Sequence, residues 1–122
     1  MGEENHNPRL LRKLGENKIF KFECEVKNDN LKLALREINN NSPDYYEAYF
    51  ILEELYYIND YFKRYYDLND LNDIQHNLLA LFKRKTTKLE SLENGAKIKL
   101  HIEAVVLADD VKFDFILDKK QV

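Results

Sequence analysis

The stretch YYEAYFILEELYYINDYFKRYY, residues 45–66, contains every tyrosine of the chain and shows where its fold changes from strand to helix. Its first residues alternate, because Tyr46, Ala48 and Phe50 share one face and polar or aromatic neighbours share the other. From Leu52 onward, apolar residues recur at the spacing of a helix. The stretch therefore predicts a strand that passes directly into a helix.

Two more strands are expected before this stretch. Residues 19–27, IFKFECEVK, alternate between apolar and charged side chains, and residues 31–36, LKLALR, alternate again. Between them Asn28-Asp29-Asn30 supplies residue types that favour tight turns. The two runs therefore predict a β-hairpin.

A second helix and three strands are expected after the stretch. The helix is predicted to start at Asp67 as N-cap and to bury an apolar stripe that ends at Phe82. Alternating residues then fall at 89–92, 96–107 and 111–117, with the hairpin signal Asn94-Gly95 between the first two runs. The order β-β-β-α-α-β-β-β predicts an α+β fold, an antiparallel sheet or partial barrel with an inserted helical hairpin.

The chain length predicts one domain. In this division residues 1–17 are a flexible arm, residues 18–118 a single α+β head and residues 119–122 a C-terminal tail. The net charge of the chain is −3, whereas nucleic-acid-binding domains typically carry a strongly positive charge. One cysteine, Cys24, excludes an internal disulfide, and it is expected to be a buried, inert thiol. With no signal peptide and no membrane-length apolar run, a cytoplasmic, cytoskeleton-associated location is expected.

Catalytic and metal-binding motifs are missing from the sequence. His6, His76 and His101 lack the spacing of metal ligands, and no glycine-rich phosphate loop occurs. We therefore expect neither an enzyme nor a bound cofactor or metal.

The tyrosine cluster leaves three interpretations open. On one continuous helix, Tyr57, Tyr61 and Arg64 share an outward flank, where they would form a contact patch for a partner protein. The alternative is that exposed tyrosines only cover the outer side of the fold. Base stacking is the third interpretation, but nearby acidic residues would repel phosphate.

One basic cluster stands out, KRKTTK at residues 83–88. Its cations either lie solvated at a helix C-terminus or contact phosphate or an acidic partner. The cations in question are Lys83, Arg84, Lys85 and Lys88. Together with the basic N-terminal arm, they give the alternative function, nucleic-acid binding.

An apolar run, Val105-Val106-Leu107, continues past the alternation to a predicted hairpin tip, where an exposed apolar side chain implies a docking partner.

The element order, with YEAYFILEEL entering the first helix, resembles the globular head of the centriolar cartwheel scaffold and of the DNA end-joining scaffolds. In the cartwheel family an apolar tip residue, typically a bulky aromatic, enters a pocket on a neighbouring head. The resemblance implies that Val106 or Leu107 is this plug and that a coiled coil follows the head.

These observations predict a protein-protein interaction or self-association module of a scaffold or cytoskeletal, centriole-like assembly. The expected partner is a protein or a second copy of the chain, and no membrane contact is expected.

Overall fold

The computed structural model describes residues 7–59, 61–64, 70–84, 87–106 and 108–120, and for Lys63, Arg64, Val106 and Asp109 it describes the backbone alone. The strands are β1 (Leu11–Leu14), β2 (Lys18–Lys27), β3 (Asn30–Glu37), β4 (Tyr45–Phe50), β5 (Thr87–Leu92), β6 (Lys97–Val106) and β7 (Asp109–Lys120). The helices are α1 (Leu52–Ile58), α2 (Tyr61–Arg64) and α3 (Leu71–Phe82).

All seven strands belong to one antiparallel sheet with the order β1-β2-β3-β4-β7-β6-β5. Its two edge strands, β1 and β5, approach each other across a gap, so the sheet forms a nearly closed barrel. The helices lie in the connection from β4 to β5. The predicted α+β fold, a partial barrel with an inserted helical segment, is confirmed.

Strand β1 lies inside the segment expected to be a flexible arm. Residues 11–14 pair with β2, in the register Arg12↔Phe20, and Leu10 and Leu14 pack against the core. A tight turn with Gly15 in the left-handed conformation, at φ 68°, connects the two strands. The predicted boundary after residue 17 is therefore wrong for residues 11–14. At the other end β7 continues through Lys120, so half of the expected tail also belongs to the sheet.

The helical insert breaks at Asn59, where one continuous helix was predicted. Helix α1 ends at Ile58, and Asn59 is extended, with φ −164° and ψ 131°. The Asn59 side chain stabilises the break, because its Oδ1 accepts from the Tyr61 backbone N–H at 2.8 Å. Its Nδ2 also donates to the Lys112 carbonyl at 2.8 Å, which fixes the break against β7.

Helix α3 begins later than predicted. Its N-cap is Asp70, whose Oδ1 accepts from the Asn72 backbone N–H at 2.9 Å, whereas the predicted cap Asp67 lies outside the described residues. A cap directly before the apolar stripe is favoured because it satisfies a backbone donor that the helix leaves unpaired. The helix then buries Ile74, Leu78 and Phe82 against the barrel.

The core fills the barrel and the space under the helices. The predicted inward alternation of β2, β6 and β7 is confirmed, and aromatic rings occupy the centre. Phe22 stacks on Phe82 at 4.2 Å between ring centroids, which joins β2 to the end of α3. Several strands and helices contribute fully buried residues to this core, among them Phe20, Leu33, Leu55, Phe62, Leu100 and Leu117.

Candidate interaction surfaces

The predicted stripe of tyrosines on one flank of a helix does not form a continuous exposed surface. Tyr57 on α1 is 90% exposed, but Tyr61 on α2 is fully buried. The Tyr61 hydroxyl donates to Asn77 Oδ1 at 2.8 Å, and its ring contacts Phe113 at 5.2 Å between centroids. The expectation that Tyr61 is a partner contact is wrong, because the break at Asn59 reorients the chain that follows it. The side chain of Arg64 lies outside the description.

Two further tyrosines lie on the outer face of β4, as their alternation predicted. Tyr49 is exposed, whereas Tyr45 is buried because Arg36 lies over its ring at 4.5 Å. Desolvation raises the pKa of Tyr45, and its hydroxyl donates to Glu47 Oε2 at 3.1 Å. The Tyr45 ring is therefore part of a polar network within the sheet and is covered from solvent.

The β6–β7 hairpin carries the predicted apolar tip. Its ladder continues without interruption to Val106↔Asp109, and the turn passes through Ala108, a non-glycine residue at φ 70°. Val105, on the outer face, is 59% exposed. The side chain of Val106 and all of Leu107, the two predicted plugs, lie outside the description. Within the described part of the hairpin, Val105 is therefore the large apolar residue that the tip presents to solvent.

A groove lies beside the tip, and we call it the hairpin groove. It has a volume of about 310 Å³. Its lining residues are Arg84, Glu103, Ala104, Val105, Asp110, Val111 and Lys112. Three lining residues are apolar, and the other four, two cationic and two acidic, are called its rim. Helix α1 reaches this rim, because Asn59 is hydrogen-bonded to the Lys112 carbonyl and lies two residues after Tyr57.

The basic cluster lies at the end of α3, next to the N-terminal segment. Lys83 is half-buried, Arg84 and Lys88 are exposed, and Lys85 lies outside the described residues. Arg12 on β1 donates through Nη2 to the Phe82 carbonyl and, at 2.9 Å, to the Arg84 carbonyl. The arm and the cluster, which are far apart in sequence, therefore form one basic surface.

A second groove, the basic groove, opens between these segments. It is lined by Pro8, Arg9, Arg12, Lys83 and Thr87 and has a volume of about 360 Å³. Among the described residues that line it, none is acidic. Arg12 also lies over the Phe82 ring at 4.4 Å, so the ring below the groove is covered.

The histidine of β6 lies between two carboxylates. His101 Nδ1 is 2.5 Å from Asp114 Oδ1, and Nε2 is 3.0 Å from Glu103 Oε2. The hydrogen bond to Asp114 is the main cause that raises the pKa of His101. Since strand pairing fixes all three side chains, this arrangement is explained as a structural ion pair of the sheet.

The remaining chemistry-bearing groups have structural explanations. Cys24 is buried, and burial raises its pKa to about 12, which makes it a poor nucleophile at neutral pH. Among the described residues, no group of three or more potential metal ligands comes together. Across the same residues, no helix combines the length and apolar character that crossing a membrane requires.

Two site residues were missed by the sequence analysis, Arg9 and Arg12. The only signal was their positive charge in the basic N-terminal arm, which contains a third basic residue, Lys13, and nothing in the sequence distinguishes these three cations. Comparisons of the chain with models of known protein families, with curated proteins and with solved structures find no match.

Proposed function

We propose that this chain is a protein-protein interaction module that self-associates through the tip of its β6–β7 hairpin. The observation that carries the proposal is the exposed Val105 in the lining of the hairpin groove. An apolar side chain at the end of a long, fully paired hairpin contributes little to its own core. Its burial in a partner would supply free energy that the monomer leaves unused.

A second copy is the partner that fits the charges of the hairpin groove best. A twofold contact uses the same patch on both subunits, so the patch must complement itself. The rim meets this requirement, because it combines the cations Arg84 and Lys112 with the anions Glu103 and Asp110. A partner of strongly one-signed charge would meet two like charges wherever it docked.

The tip supplies only the centre of such a contact. Burial of a fully exposed valine side chain is worth about 1.5–3 kcal/mol, and Val105 is 59% exposed, so its burial contributes roughly 1–2 kcal/mol. A stable interface buries about 800 Å² on each partner. Tyr57, on the helix that reaches the groove rim, is an aromatic residue that would enlarge the contact.

The resemblance to the cartwheel-scaffold head leads to the same proposal. It adds that Val106 or Leu107 enters the neighbouring copy, that a coiled coil extends the assembly, and that the protein acts in a cytoskeletal, centriole-like scaffold. These additions rest on the order of elements alone.

Sedimentation velocity over a range of concentrations tests the proposal. We expect the wild-type sedimentation coefficient to rise with concentration, and Val105→Asp or Leu107→Glu to weaken association at least about tenfold, a change of about 1.4 kcal/mol. The matched control is Ile116→Asp, the same kind of change at an exposed apolar residue of β7 away from the tip.

All variants should keep the wild-type unfolding temperature, since the Val105 and Ile116 side chains are exposed. A wild-type protein that stays monomeric at every concentration contradicts self-association. Equal weakening by Val105→Asp and Ile116→Asp would show that the tip has no special role.

A further inference from the structure

We propose that the basic groove binds an acidic segment of a partner protein, one that carries clustered carboxylates or phosphorylated side chains. The groove lies between β1, β5 and the end of α3, whereas the hairpin groove lies at the β6–β7 tip. The proposal is independent of self-association, and the two can fail separately.

The positive charge of the basic groove is not neutralised within the described part of the chain. Arg9 and Lys83 line the groove and make no ion pair there. Among the described residues, the hydrogen-bond acceptors of the Arg12 side chain are all backbone carbonyls, those of Arg9, Leu11, Phe82 and Arg84. Carbonyl partners satisfy its N–H groups but carry no net charge. Three cationic side chains therefore face one small groove, and the described residues that line it include no carboxylate.

The fold holds the Arg12 side chain and the backbone at Arg9 in place before any ligand arrives. Four hydrogen bonds fix the Arg12 guanidinium. The Phe82 carbonyl also accepts a long hydrogen bond from the buried Thr87 hydroxyl at 3.5 Å. Asn7 caps the short 3-10 turn Pro8–Leu10 by accepting from the Arg9 backbone N–H at 3.0 Å. A site that is ordered in advance loses less conformational entropy when an anion binds.

A protein segment fits this groove better than a nucleic acid does. Binding of single strands uses exposed aromatic rings on which bases stack, but the ring at this groove, Phe82, is fully buried under Arg12. Binding of duplexes uses a basic face that follows many phosphates, whereas the whole chain has a net charge of −3. A short groove with cations and the apolar surface of Pro8 instead suits one or two acidic side chains of a peptide.

Fluorescence anisotropy with labelled peptides tests the proposal. The probes are poly-glutamate, a phosphoserine-rich peptide and, as the neutral comparison, poly-glutamine. We expect both acidic peptides to bind, poly-glutamine to show no binding, and Lys83→Glu or Arg9→Glu to weaken binding about tenfold or more. Raised salt should weaken binding as well, since the attraction is between exposed charges.

Lys27→Glu is the matched control. It makes the same charge change at an exposed lysine of β2, seven residues along the strand from Phe20, which pairs with Arg12. At about 3.3 Å per residue, this lies roughly 23 Å away from the groove. Lys83→Gln is a milder second variant, in case charge reversal at the end of α3 destabilises the fold. Measurements in the Val105→Asp background keep any self-association out of the result.

Three outcomes would overturn the proposal. Poly-glutamate could bind no better than poly-glutamine. Lys27→Glu could weaken binding as much as Lys83→Glu, which would indicate an unspecific response to net charge. Labelled oligo-dT could bind more tightly than both acidic peptides, with the same dependence on Lys83, and the groove would then be a nucleic-acid site.

Discussion

Arg12 links β1 to the end of α3, and its replacement by alanine is the sharpest test of the fold described above. The side chain makes this link by donating to the Phe82 and Arg84 carbonyls. Carbonyl groups at the C-terminus of a helix have no hydrogen-bond donor within the helix. A cation at this end also interacts favourably with the helix dipole. Desolvation by burial lowers the pKa of Arg12, which nevertheless remains charged at neutral pH.

The loss expected for Arg12→Ala follows from these contacts. Hydrogen bonds to a charged group contribute about 1.5–3 kcal/mol each, and the lower limit applies because Arg12 is only half-buried. The contact with the Phe82 ring adds about 0.5–1 kcal/mol. The two bonds to α3 and the ring contact together give a loss of about 3.5–4 kcal/mol. For 122 residues this corresponds to an unfolding temperature lower by about 15 °C.

Thermal and urea unfolding followed by circular dichroism measure this loss. Lys13→Ala is the matched control, because it removes a cation from the same strand at an exposed position without a hydrogen-bond partner among the described residues. Arg12→Lys should recover less than half of the stability, since an ammonium group cannot lie flat on Phe82 while it reaches both carbonyls. If Arg12→Ala and Lys13→Ala differ by less than about 0.5 kcal/mol, Arg12 does not link β1 to α3.

Two further predictions concern ionisable groups. The raised pKa of His101 means that its ion pairs with Asp114 and Glu103 stabilise the fold below the ordinary pKa of 6.5 and that this stability is lost as the pH rises through the folded value. The difference in unfolding temperature between wild type and His101→Gln should therefore be largest in acid. Lys88, opposite residue 101 on β5, is the same in both proteins. A difference that does not depend on pH would contradict this prediction. The buried Cys24 should react with a thiol reagent only in urea, and fast reaction of the native protein would show that it is accessible.

Alternation of apolar residues made most of the sheet predictable. In β6 and β7 every second residue is apolar, and a strand with one buried face requires this period. The strand from Tyr45 to Phe50 was predicted for the same reason, and its passage into helix α1 was predicted by the change to helical spacing from Leu52 onward. Local patterns were sufficient to predict these strands, because the alternation within each strand determines which face is buried and so its register with the neighbouring strand.

The features that the sequence did not reveal depend on distant contacts. Strand β1 was not predicted, because it has only four residues and its apolar alternation is interrupted. Arg12 occupies an inward-facing position, where an apolar residue would have indicated a strand. The helix break depends on a hydrogen bond from Asn59 to Lys112, which lies 53 residues away. Helical spacing through Tyr61 and Phe62 was real, but it did not show that the helix restarts in a new direction.

The end of α3 lies between the two proposed surfaces, and this decides which variants can separate them. Arg84 belongs to both: its carbonyl accepts from Arg12 beside the basic groove, and its guanidinium lines the hairpin groove and donates to the Val105 carbonyl at 3.4 Å. A substitution at Arg84 removes a cation of the hairpin groove but keeps the backbone carbonyl that Arg12 binds, so its direct effect is on the hairpin groove. Val105 lines only the hairpin groove and Lys83 only the basic groove. Loss of self-association with Val105→Asp and loss of acidic-peptide binding with Lys83→Glu are therefore independent observations.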